Sequence, residues 1–176
     1  MRSIELRRHA DRAKDADALS PEGRVEAEDV GRTLPTDYAF VFVSPAKRAA
    51  ETVAWFLRAS TQPLPPHAVV PGLGSDVEDR WRAASKAAGG GRLDALLAED
   101  PGLVNEESAR LAGVVRDLFD RVPTGERALA VGHSPLIEAA VYGLMRMIVE
   151  PLGTCEGVRL TRDEAGELRL EELRLP

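Results

Sequence analysis

Apolar residues are unevenly distributed along the chain, and their spacing predicts an alternation of strands and helices. Residues 3–6 read as a short strand, and Tyr38–Val43 is almost wholly apolar, as expected of a strand buried on both faces of a sheet. Residues 67–70 and 128–131 give a third and a fourth strand. Helical spacing fills the intervals. Ser20 is a natural N-cap with Pro21 at the first helical position, and Ala27, Val30, Gly31 and Leu34 follow on one face until Pro35. Ser44-Pro45 repeats that opening before Ala49, Val53, Phe56 and Leu57. A turn-rich link is expected at 63–66. The stripe Leu111, Val114, Val115, Leu118, Phe119 and Val122 predicts a helix over 106–122.

Between 73 and 100 the pattern is weaker: an acidic stretch at 75–80, a helix at 81–88 broken by Gly89-Gly90-Gly91, and a short helix at 92–98. Another helix is expected from the cap beside His133 to Met147. Residues 157–161 and 168–173 form a terminal hairpin or a pair of edge strands. Strands alternating with helices imply an α/β protein: a three-layer α/β/α sandwich with a mostly parallel central sheet. One domain over 1–176 is expected, with a small variable segment around 73–104.

Charge narrows the range of partners. A net charge of −6 argues against a nucleic-acid binder, which needs a basic face to displace counterions. Cys155 is the single cysteine, so an intrachain disulfide framework is excluded. The N-terminus runs directly into the first strand, and no apolar run reaches membrane-spanning length; a cytoplasmic protein without membrane contacts is expected.

The candidate chemistry sits where strands end. In parallel sheets ligands bind beyond the carboxyl ends of the strands. Arg8-His9, Ser44 with Arg48, and Gly132-His133 all fall at such handovers and can converge on one rim. Guanidinium matches phosphate oxygens, and imidazole serves as nucleophile or base near neutral pH. Taken singly, each has an ordinary explanation, a solvated arginine or a histidine bonded to a backbone carbonyl. Other phosphate motifs are missing. Gly89-Gly90-Gly91-Arg92 lacks the Lys-Ser/Thr of a P-loop, and Gly132-His133-Ser134-Pro135-Leu136 lacks the glycine closing a nucleophile elbow. Cys155 has an arginine four residues on, too close for a cysteine phosphatase loop, and no apolar strand precedes Asp15-Ala16-Asp17-Ala18 as an aspartyl phosphatase motif requires. His9, His67 and His133 are too scattered to suggest a metal site.

Four ordered stretches, Leu6-Arg7-Arg8-His9-Ala10, Leu19-Ser20-Pro21-Glu22-Gly23, Ser44-Pro45-Ala46-Lys47-Arg48-Ala49-Ala50-Glu51-Thr52 and Val131-Gly132-His133-Ser134, together resemble the signatures of the histidine phosphatase superfamily, in its phosphoglycerate-mutase-like branch. The resemblance implies the phosphoglycerate-mutase-like fold, with His9 as a nucleophile that becomes phosphohistidine. It also implies that Arg8, Arg48 and His133 complete a phosphate pocket needing neither cofactor nor metal. Nearby positive charge would keep the attacking nitrogen unprotonated.

The chain departs from the family at the general acid, where Ser75 stands in place of the expected Glu; Asp76 and Glu78 are the nominated substitutes. The implied partners are a phosphorylated small molecule or a phosphohistidine protein, with phosphate or sulfate able to occupy the site. Two alternatives stay open, a phosphoglycerate mutase and a catalytically silent phosphate-binding module.

Overall fold

The computed structural model describes residues 1–58 and 65–176. Pro63 and Leu64, part of the expected link, lie outside them. Six strands form one sheet: β1 (Arg2–Arg8), β2 (Tyr38–Val43), β3 (His67–Val69), β4 (Arg127–Gly132), β5 (Gly157–Arg162) and β6 (Leu168–Leu173), in the order β3-β2-β4-β1-β5-β6. The β3-β2-β4-β1 portion is parallel, whereas β5 runs antiparallel to β1 and pairs with β6 as the terminal hairpin. The sheet is therefore mixed, and its parallel half brings the carboxyl ends of β1, β2 and β4 to one rim.

Strand alternation divides the core into two layers. Val41, Val43, Leu129 and Val131 face helices α1 (Pro21–Gly31) and α2 (Lys47–Arg58), where Ala27, Val30, Val53 and Phe56 meet them. Ile4, Leu6, Phe42, Ala128 and Ala130 face the opposite way, onto α5 (Pro101–Arg121) and α6 (Leu136–Met145). The smaller helices α3 (Glu78–Ala87) and α4 (Leu93–Glu99) complete this second layer through Trp81, Leu93 and Leu96. In β1, Glu5 and Arg7 carry charge into the interior. The carboxylate of buried Glu5 accepts from Arg7, Arg159 and the Tyr38 hydroxyl, so this ion is fully partnered.

Several boundaries differ from the sequence expectation. Ser20 caps α1 through the Gly23 N–H at 2.9 Å, as its position predicts. A side chain at Gly23 would collide with the Asp11 carbonyl, so glycine lets the loop after β1 lie directly on this helix start. Ser44 does not cap α2, which begins at Lys47 rather than Pro45. Helix α5 begins at Pro101, five residues early, because Asp100 accepts the Leu103 N–H at 3.0 Å. Helix α3 begins at Glu78 rather than at residue 81. Helix α6 stops at Met145, with Arg146 left-handed at φ 58°, and lacks the expected serine cap.

Candidate active site

The site starts from β1. Parallel pairing with β4 places Arg8 opposite Gly132, and the next residue continues the ladder through a His9 N–H bond of 3.0 Å to the Gly132 carbonyl. His9 and His133 therefore emerge side by side, with ring centroids 5.2 Å apart and 61° between the planes. From the neighbouring strand, β2, the chain passes through Ser44 into α2, whose second residue is Arg48.

Arg48 ties the three segments together. Its Nε donates to His9 Nε2 at 3.1 Å, its Nη2 to His133 Nδ1 at 3.1 Å, and its Nη1 pairs with Asp17 at 2.7 Å. These bonds assign both tautomers. His9 Nδ1–H donates to the Ala10 carbonyl at 2.7 Å, which leaves Nε2 with its lone pair. His133 accepts on Nδ1, so its Nε2–H donates to Ser44 Oγ at 2.8 Å. Ser44, expected as a cap, is used instead to orient an imidazole.

Both rings are held neutral. Burial lowers the His9 pKa to about 4; the Ala10 carbonyl opposes this, and Arg48, Arg8 and Arg12 add to it. Burial likewise takes His133 down to about 3, helped by Arg48 and His9 and opposed by Asp17.

Helix α2 takes its cap from far along the chain. The Asp17 carboxylate accepts from the Lys47 N–H at 2.8 Å and the Arg48 N–H at 3.4 Å, in addition to its pair with the Arg48 guanidinium. Burial alone would raise the Asp17 pKa, but those N–H donors and the Arg48 charge lower it overall. Thr52 completes the support one turn on: its hydroxyl accepts the Ala10 N–H at 3.0 Å and donates to the Arg48 carbonyl at 2.8 Å.

Arg8, His9, Arg48 and His133 share the wall of one cavity of about 270 Å³. Its outer wall comes from α3 through Glu78, Trp81 and Arg82, and from Ser75 just before that helix; Asp11 and Arg12 line the rim after β1. The structure thus gathers five of the six nominated side chains around one space. Asp76 is the exception: it is exposed and absent from the wall, because the turn before α3 directs Ser75 and Glu78 inward and Asp76 away. Ser75, which stands where the resemblance leads one to expect a Glu, donates to the buried Glu107 carboxylate at 2.7 Å. Among the described residues, no group of three or more His, Cys, Asp or Glu could hold a metal ion.

Sequence reasoning missed Asp17, Arg12, Thr52 and Arg82. Asp17 sat inside a motif considered only as an aspartyl nucleophile, and no local spacing connects it to an arginine 31 residues away.

A mostly parallel sheet with two neutral imidazoles bridged by one guanidinium at its carboxyl rim defines a phosphoglycerate-mutase-like α/β protein. The chain belongs to the histidine phosphatase superfamily, branch 1, whose family model matches residues 5–157. Solved structures agree on the fold. Phosphoserine phosphatase from Entamoeba histolytica, in complex with 3-phosphoglyceric acid, superposes with a TM-score of 0.72 at 16% identity, covering 99% of this chain and 98% of that one. Phosphoglycerate mutase from Bacillus anthracis gives 0.70 at 20% identity, covering 97% and 92%. The protein histidine phosphatase SixA, complexed with tungstate, gives 0.58 at 23% identity, covering 97% and 96%. No curated protein matches the chain. Among the described residues, no helix is long and apolar enough to cross a membrane.

Proposed function

We propose that the protein is a phosphohydrolase acting on phosphomonoesters or on phosphohistidine side chains through a phosphohistidine formed on His9. The observation that carries this reading is the single Arg48 guanidinium donating to His9 Nε2 and His133 Nδ1 on one cavity wall. The attacking nitrogen is unprotonated because the ring's proton is committed to the Ala10 carbonyl, and its lone pair accepts from Arg48 Nε until a phosphoryl group takes that place. As a phosphoryl group enters, the N–H groups of Arg48 and Arg8 turn to its equatorial oxygens, where transition-state charge is spread.

His9 Nε2 then bonds to phosphorus while the bond to the leaving oxygen or nitrogen breaks. Glu78, the acidic side chain on the α3 wall, hands its proton to that leaving atom. In the second half, water attacks phosphorus, the phosphorus–nitrogen bond of the intermediate breaks, and the proton of water returns to Glu78. Orthophosphate and the original imidazole are regenerated.

His9→Ala should abolish turnover of an aryl phosphate and eliminate acid-labile phosphate trapped on the protein, with an unchanged circular dichroism spectrum. Turnover retained by that variant refutes the assignment. A panel of phosphohistidine, phosphoglycerates and sugar phosphates then ranks the substrate classes. Transfer between substrates in place of release to water would indicate a mutase.

A further inference from the structure

Beneath the cavity lies an acid that the proposed reaction does not use. Glu138, on the first turn of α6, is fully buried. Its Oε1 accepts two bonds, from the Ser134 hydroxyl at 2.5 Å and from the Leu152 N–H at 2.9 Å. Its Oε2 has no hydrogen-bond partner. On the other side of the same residue, the Leu152 carbonyl accepts from Arg8 Nη1 at 2.6 Å. Arg8 Nε is likewise buried without a partner, so among the described residues this carbonyl is the only hydrogen-bond anchor of its guanidinium. Burial pushes the Glu138 carboxyl above its ordinary range, and the Ser134 hydroxyl, the Leu152 N–H and the Arg8 charge pull it back.

A buried carboxyl with one oxygen unsatisfied is costly, and an apolar residue of similar size would avoid that cost but could not make the two bonds to Oε1. Here the two bonds to Oε1 reach both halves of the phosphate cradle. Ser134 follows His133 directly and lines the cavity; Leu152 carries Arg8. Other contacts fix the Leu152 segment at its ends, with Arg174 donating to the carbonyls of Glu150 and Pro151 and the Glu156 carboxylate accepting the Gly153 N–H. Within the segment, Glu138 alone holds the Leu152 N–H.

We infer that Glu138 is a positioning residue of the phosphate site: through the Leu152 residue it sets the Arg8 guanidinium, and through Ser134 it fixes the turn that presents His133. This rests on the phosphate-binding reading above, but its test uses anion binding and needs no turnover. The failure of one is therefore distinguishable from the failure of the other.

Orthophosphate binding is measured calorimetrically on the full chain for wild type, Glu138→Gln, Glu138→Leu, Arg8→Met and the double variant Arg8→Met/Glu138→Leu. Glu138→Leu should weaken binding by about tenfold to a hundredfold, the scale of a small misplacement of a charged group. Glu138→Gln, which keeps an acceptor oxygen, should stay within several-fold of wild type. In the Arg8→Met background the leucine change should cost clearly less than it does in wild type, because one of the two groups it positions is gone.

Independent, multiplying losses would overturn the link through Arg8. Unchanged phosphate affinity in a folded but less stable Glu138→Leu would reduce the residue to a structural one. Should leucine fail to fold, Glu138→Met takes its place with the same expectations. Failure of all three Glu138 variants to fold would overturn the assignment in favour of a folding determinant.

Discussion

At the residue scale, the site's chemistry depends on keeping two imidazoles neutral beside three arginines. An ordinary histidine is half protonated near pH 6.5. His9 and His133 are displaced to about 4 and about 3, chiefly by burial. The sign follows from linkage: a group depressed in the fold binds its proton more readily in the unfolded chain. The folded state therefore loses stability as pH falls from the unfolded value through the folded one, with about 1.4 kcal/mol for each unit of displacement. The His9 lone pair should remain available from neutral pH down to about pH 5, and its loss should centre near pH 4. Titration of the ring carbon-bound protons by NMR, assigned with His9→Ala and His133→Ala, checks this directly. A midpoint near 6.5 for His9 would mean that the ring is solvated.

Residues of this kind were legible in the sequence because strand ends collect function whatever the loops do. Arg8, His9 and His133 each end or follow a run whose apolar pattern marks it as a strand. Their tautomers were not legible. They depend on the Ala10 carbonyl and on Ser44, whose roles appear only when β2 and β4 lie side by side.

At the element scale, α2 shows how a cap can come from outside its own helix. The Ser-Pro opening at Ser44 satisfied the local rule, yet the serine hydroxyl bonds His133 and the orphan N–H groups go to Asp17. Local propensity could not anticipate this, since the two partners are joined only by tertiary structure. The early start of α5 has a simpler cause: Asp100-Pro101 is a good cap and first-turn pair, and it lies ahead of the point where the apolar stripe begins.

The double duty of Asp17 makes its two roles separable. Asn is as good a cap as Asp but carries no charge. Asp17→Ala should lower stability by about 1 kcal/mol, the usual worth of a cap, and should also reduce kcat/KM. Asp17→Asn should recover most of the stability and less of the activity, because the bond that restrains Arg48 would lose its ionic part. Urea denaturation and steady-state kinetics on both variants measure the split. Equal loss of activity and stability in the two would show that the charge does nothing beyond capping.

At the scale of the whole molecule, two independent pieces of architecture meet at the cavity. The inner wall is made by strand ends, where β1, β2 and β4 are locked in parallel register and His9 and His133 are buried. The outer wall is the exposed face of α3, which touches the body through Trp81 and Ala84. The weakly patterned segment of the sequence thus supplies the part of the site that would face the leaving group. Such a division predicts that changes on the outer wall alter which leaving groups are accepted and leave phosphoryl recognition intact.

Glu78 is the residue on which to test it. An acid matters most when the departing oxygen is a poor leaving group, and general acids contribute typically about 10²- to 10⁴-fold. Glu78→Gln should therefore lower kcat for alkyl phosphates by about a hundredfold or more. Turnover of aryl phosphates and phosphohistidine, whose leaving groups depart without full protonation, should change little, and so should competitive inhibition by orthophosphate. A plot of log kcat against leaving-group pKa would then steepen in the variant. An unchanged slope would remove Glu78 from the reaction and leave a site whose range is confined to good leaving groups by the inner wall alone.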